Sequence, residues 1–240
     1  QPFVAGLLKL VGYRRAVITT NLQKSFPEKS ESGIRKIRCG YYNTLAEVIV
    51  DTISLVRVTE KRQSDFIVWE NSDEILQKMK GKDWIAMAAH YGCWEYFPMW
   101  CWQDKDSDSI SVYHPLHSEV FECFYGRLRS FSENVRQIPM GEAVRFYLKN
   151  RGTGRNIVLG LVSDQSPRLT ADSYWHRFLN QDTIFNEGAE LLAKKFRLPI
   201  YYAYIKRLAR GKYSLELVEL YNGTDEVVPR EINERYARIL

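Results

Sequence analysis

The sequence predicts an α/β fold with a largely parallel central sheet flanked by helices and preceded by a helical N-terminal segment. Two observations carry this expectation. From Asp65 onward short apolar runs alternate with helix-like stretches, and two of those runs, Trp84 to Ala89 and Ile157 to Val162, contain almost no polar residue. Strands that are apolar throughout belong in a sheet covered on both faces, which is how parallel strands joined by helical crossovers are placed.

The chain opens with QPFVAGLLKLVGYRR, which is apolar but shorter than the roughly 20 residues that span a bilayer. Tyr13, Arg14 and Arg15 at its end form the basic flank that an interfacial or spanning helix carries. With Gln1 in first place, the expectation is a fragment whose membrane anchor lies upstream. Pro27 and its charged neighbours then break the chain, after which Ile34, Ile37, Tyr41, Leu45, Val48, Thr52 and Leu55 recur at spacings of three and four. That periodicity predicts a long amphipathic helix with Ser32 as its cap.

The expected strands are DFIVWE, WIAMAA, SISVY, VRQIP, NIVLGLV, PIYYAYI and YSLELVEL. Between them helices are expected over Cys93 to Gln103, His117 to Phe131, Glu142 to Asn150 and Asn186 to Phe196, with Pro199 opening the next strand. No repeat, low-complexity tract or long linker divides the chain. It reads as a single domain, with a helical part over residues 1–60 and an α/β core over 61–240.

Composition narrows the partners. The chain has 34 Lys and Arg against 29 Asp and Glu, a formal charge of +5. This is too mild for nucleic acid, which calls for a dense basic stripe and a reading motif, and it suits an anionic lipid surface or an acidic protein partner better. Aromatic residues make up 13% of the chain, a content that fits apolar ligands or a membrane interface. Cys39, Cys93, Cys101 and Cys123 lack CxxC spacing and are read as reduced and mostly buried.

The chemistry concentrates in AAHYGCWEYF, where an apolar strand runs into His90 and then, through Tyr91 and Gly92, into a helix bearing Glu95. Ligands of open α/β sheets bind outside the carboxyl ends of strands. An imidazole there titrates near neutrality and can take a hydroxyl proton, and a carboxylate on its other nitrogen would orient it. A turn at Gly92 would let Glu95 fold back onto the ring. An HxxxxE spacing by itself is common by chance. Asp164 stands at the end of the second apolar strand, where a site role and a turn role are equally compatible with the pattern.

Among the basic residues from 127 to 155, Arg136, Arg145, Lys149, Arg151 and Arg155 read as solvated helix faces. His114, His117 and His176 make no metal-ligand spacing and read as surface or structural. Trp175 and Phe178 could line an acyl groove, with core packing the more economical assignment. Cys93 has no second His near it in sequence to activate it and reads as a bystander thiol.

Five blocks in order resemble one family. HYGCWE is similar to the HxxxxD/E signature, commonly H-F/Y-G-N-W-E, of the late lipid A acyltransferases, the lauroyl and myristoyl transferases within the glycerolipid acyltransferase superfamily. YRRAVITTNLQKSFPEKS resembles the element that follows their membrane anchor, and SVYHPLHSEVFECFYGRLRS the block ending in Arg-x-Arg, matched by Arg127 and Arg129. LVSDQSP resembles the block that carries an Asp near the active site, matched by Asp164, and FNEGAELLAKKFRLPIYYAYIKR resembles a further helix and strand. The chain departs from the family in carrying Cys93 where Asn is common, and in lacking the anchor and a Trp- and Arg-rich C-terminal end.

The resemblance implies a glycerolipid-acyltransferase-like fold and transfer of a fatty acyl group from acyl carrier protein to a hydroxyl of a lipid A precursor. It places the reaction at the cytoplasmic face of the inner membrane and draws on no metal or organic cofactor. His90 and Glu95 would be catalytic, with Arg127, Arg129 and Asp164 binding substrate. Two other readings share these residues: acylation of a lysophospholipid or aminolipid, and a lipid-binding protein without catalysis.

Overall fold

The computed structural model describes residues 1–115, 118–170 and 173–240. The N-terminal part is helical, with α1 (Pro2–Val11), α2 (Arg15–Ser25) and the long α3 (Glu31–Ser54). The cap of α3 is Ser30 rather than Ser32, because the Ser30 hydroxyl accepts the Gly33 N–H at 3.3 Å, the bond an N-cap makes to the third helical residue. After α4 (Gln63–Phe66) come β1 (Ile67–Trp69), α5 (Ser72–Met79), β2 (Trp84–Ala88) and β3 (Ser107–Tyr113), with a 3-10 helix over Trp94–Trp102 between the last two. Then follow α6 (Glu119–Arg129), β4 (Val135–Pro139), α7 (Ala143–Asn150) and β5 (Asn156–Val162). The chain ends with β6 (Trp175–Phe178), β7 (Gln181–Ile184), α8 (Gly188–Phe196), β8 (Ile200–Ala209), β9 (Lys212–Tyr221) and α9 (Glu231–Ile239).

Among the described residues a seven-stranded sheet has the order β1-β9-β8-β2-β5-β3-β4. Its pairs are parallel except β8 with β9, which run antiparallel. The two runs expected to be central, β2 and β5, are neighbours in the middle of the sheet. Alternation along β2 feeds two cores: Trp84, Ala86 and Ala88 pack with Tyr96, Trp100 and Tyr213, and Ile85 and Met87 with Phe185, Tyr202 and Tyr236. Trp84 meets Trp100 edge to face, with ring centroids 5.7 Å apart.

The helix expected over Cys93 to Gln103 is a 3-10 helix containing Pro98, whose ring supplies no N–H and fixes its own φ. The helix expected from His117 is α6. It begins at Glu119, and His117 lies outside the described residues. The hairpin of β6 and β7 was not among the expected strands. Its turn residues, Leu179 and Asn180, have φ of 47° and 60°, the backbone of a primed hairpin turn without the glycine that usually announces one.

Ties from α3 to the sheet are polar as well as apolar: Arg207 Nε donates to Glu47 Oε1 at 2.6 Å and the Tyr213 hydroxyl to Asp51 Oδ2 at 2.7 Å. Among the described residues no helix is long and apolar enough to cross a membrane. The four cysteines are free, and only Cys93 and Cys101 are buried. Cys39 and Cys123 are exposed, which corrects the expectation of mostly buried thiols.

Candidate active site

The parallel register of β2 and β5 builds the site. Ala88 stands opposite Val162, and the ladder continues one step further through the Ser163 N–H, which donates to Ala88 O at 3.1 Å. Two residues past Ala88 is His90, and two past Val162 is Asp164, so equal overhangs at the carboxyl edge bring the two side by side. Asp164 Oδ1 lies 2.7 Å from His90 Nδ1, and Asp164 Oδ2 accepts the His90 backbone N–H at 2.9 Å. A carboxylate only accepts, so a neutral ring keeps its proton on Nδ1 and leaves Nε2 with a lone pair. A long contact of 3.4 Å joins that Nε2 to the Gln165 amide nitrogen.

Glu95 therefore does not fold back onto the imidazole as expected. Glu95 is 5% exposed and its carboxylate is bound in a fork by Arg129, with Nε to Oε2 at 2.7 Å and Nη2 to Oε1 at 2.5 Å. The reason is geometric: Asp164 reaches Nδ1 from the neighbouring strand end, while the turn at Gly92 directs the 3-10 helix and Glu95 toward α6. Burial opposes the Arg129 charge, but the Glu95 hydrogen bonds and charge prevail and hold its pKa above the usual value. The Arg129 guanidinium also lies over the Tyr125 ring, 5.1 Å from its centroid.

Gly92 has φ of 60°, and a Cβ there would come within 2.9 Å of Ile205 Cγ2. Only glycine suits this left-handed, crowded position. Trp94 closes the other side of His90, its ring meeting the imidazole edge to face at 4.7 Å. His90, Trp94, Glu95, Tyr125, Arg129 and Gln165 all line one cleft of about 970 Å³. Val112, Leu161, Val144 and Leu192 give its lining apolar surface.

Arg127, paired with Arg129 in the sequence block, lies on the exposed side of α6, and it is Arg129 that lines the cleft. Asp164 holds the imidazole rather than facing substrate alone. His114 lines the cleft, while His176 is buried between Tyr174 and Phe185. Trp175 is half-exposed and Phe178 packs against the core. Gln165, Trp94 and Tyr125 were not singled out from the sequence. Each lay within a quoted block, Trp94 in HYGCWE, Tyr125 in SVYHPLHSEVFECFYGRLRS and Gln165 beside Asp164 in LVSDQSP. Among the described residues no cluster of His, Cys, Asp or Glu is arranged to hold a metal ion.

The family model for the bacterial lipid A biosynthesis acyltransferases matches residues 3–239, nearly the whole chain. The chain belongs to this family. Comparison with curated proteins gives no match. In this member of the lipid A biosynthesis acyltransferases the site holds an imidazole with a carboxylate on Nδ1 and a long amide contact at Nε2, lining a cleft that has apolar residues in its wall. Cys93, at the position where Asn is common in such acyltransferases, is fully buried, and that burial pushes its thiol pKa well up, so it stays protonated and unreactive.

Proposed function

We propose that this acyltransferase moves a fatty acyl group from the thioester of acyl carrier protein to a hydroxyl of a lipid A precursor at the cytoplasmic face of the inner membrane. His90 Nε2 takes the hydroxyl proton as the oxygen attacks the thioester carbonyl. The carbon–sulfur bond breaks, and the proton returns from the imidazolium to the carrier's thiolate, giving an ester and a thiol. Asp164 holds the tautomer that leaves Nε2 basic and stabilises the imidazolium as it forms. Such general-base assistance contributes roughly 10²- to 10⁴-fold. The step as written moves only an acyl group and protons.

Glu95 and Arg129 act on the same cleft wall. The pair fixes Arg129 in place, and the guanidinium N–H groups that the fork leaves unused can donate to substrate oxygens in the cleft. The apolar wall suits the acyl chain, and the net positive charge suits an acidic carrier and anionic lipid. One observation carries the reading: an imidazole that lines a cleft with apolar residues in its wall, held by a carboxylate on Nδ1, with only a long 3.4 Å contact from Gln165 at Nε2.

The test is mass spectrometry of lipid A from cells with the protein, without it, and with His90→Ala. Loss of one acyl chain in the latter two is expected. An unchanged profile in all three would turn the assignment to a lysophospholipid or aminolipid acceptor. Full function from His90→Ala would leave a lipid-binding protein without catalysis.

A further inference from the structure

Beside the cleft lies a second concavity of about 410 Å³, within the range of roughly 300–1,000 Å³ typical of small-molecule sites. Asn21 and Ser25 of α2 form one wall, and Trp175, Gln181 and Asp182 of the β6–β7 hairpin the other. Ser166 lines both this groove and the large cleft, so the two spaces meet two residues beyond Asp164. The walls are tied together. Asn180 Nδ2 donates to Ser25 O at 3.0 Å and Gln181 Nε2 to Ser25 Oγ at 3.1 Å, which fixes the hairpin against the end of α2.

The chemistry of the walls is mixed in a specific way. Trp175 is 52% exposed and lines the groove, so its ring offers a flat apolar surface there. Around it are amides and hydroxyls, groups that both donate and accept. A pyranose ring has the complementary surface, one face of C–H groups for the electron-rich indole and a rim of hydroxyls for the amides. The lining carries no cation, and its one carboxylate, Asp182, is paired with Arg177 at 3.2 Å, so a sugar rather than a phosphate is the matching ligand.

We propose that this groove is a carbohydrate subsite, in which Trp175 stacks on a sugar ring of the acceptor while the adjoining cleft presents its hydroxyl to His90. That the sugar belongs to the acyl acceptor rests on the acyl-transfer reading above, whereas sugar binding itself rests on the groove alone.

The test has two arms on the purified full chain. Saturation-transfer NMR with a glucosamine disaccharide bearing no fatty chains should give signals with the wild type, lose them in Trp175→Ala and Asn21→Ala, and keep most of them in Trp175→Phe. Both alanine sites are on exposed surface, and circular dichroism checks that the fold persists. In the acylation assay, Trp175→Ala should raise KM for the glycolipid acceptor roughly tenfold with kcat little changed, the loss expected of one stacked ring. No sugar signal in the wild type, or signals and KM untouched by Trp175→Ala, overturns the subsite. Sugar binding in a protein that acylates no glycolipid would keep the subsite and sink the acyl-transfer reading instead.

Discussion

His90 Nδ1 and Asp164 Oδ1 are 2.7 Å apart although 74 residues separate them in the chain. Two adjacent parallel strands make this contact, each extended by the same number of residues past the last ladder pair. Asp164 is also bonded to the His90 main chain, so it fixes both where the imidazole starts and which way it turns.

Asp164→Asn leaves one oxygen, which the His90 main-chain N–H holds, and turns the amide N–H toward Nδ1, so the other tautomer forms, with Nε2 protonated and unable to act as base. A fall in kcat of about 10²- to 10⁴-fold is expected, with little change in KM for the acyl donor. Steady-state kinetics on folded Asp164→Asn decide this, and near-normal kcat would remove Asp164 from the mechanism.

Glu95→Ala leaves the Arg129 guanidinium largely buried without its anion. Breaking such a pair from one side costs about 3–5 kcal/mol, while replacing both partners by apolar residues costs less. Urea denaturation of Glu95→Ala, and of Glu95→Leu combined with Arg129→Met, measures the difference. Equal destabilisation by the single and double variants would contradict the picture of a coupled pair.

Gly92→Ala puts a side chain into a left-handed conformation with Ile205 Cγ2 only 2.9 Å from its Cβ. The strain and the clash together should cost about 1–3 kcal/mol and displace His90. Loss of activity that exceeds the loss of stability is the expected pattern. A variant with wild-type melting and activity would show that the turn tolerates a side chain.

Thiol chemistry separates the cysteines. Iodoacetamide on the folded protein should label exposed Cys39 and Cys123 and spare Cys93 and Cys101, whose burial holds them protonated. Labelling is read by peptide mass spectrometry, and Cys93→Ala should retain activity. Rapid alkylation of Cys93 would contradict its burial.

Alkaline pH should weaken the fold. Burial pushes Cys101, Tyr147 and Tyr202 up to about 12, from ordinary values of 9.0 for the thiol and 10.0 for the phenols. Above about pH 9 the unfolded chain sheds these protons while the folded one keeps them. The unfolded state then binds fewer protons, and stability falls as pH rises. Thermal melts between pH 8 and 11 should show a declining Tm, and a flat profile would contradict the burial of these groups.

The sequence by itself determined the sheet's two central strands, the helical N-terminal part, the family and the presence of His90 at a strand end, because apolar runs and ordered motifs are local signals. Tertiary structure decided which carboxylate serves the imidazole. Glu95 is five residues from His90 and Asp164 is 74, yet strand register joined the distant pair and α6 captured the near one. It also decided between Arg127 and Arg129, whose Arg-x-Arg spacing places them on different faces of one helix, and it formed the β6–β7 hairpin around Leu179 and Asn180, where Asn180 alone is a turn residue and no glycine stands beside it. Contacts set by how strands and helices are laid side by side leave no periodicity in the chain, so they became legible only once the sheet was assembled.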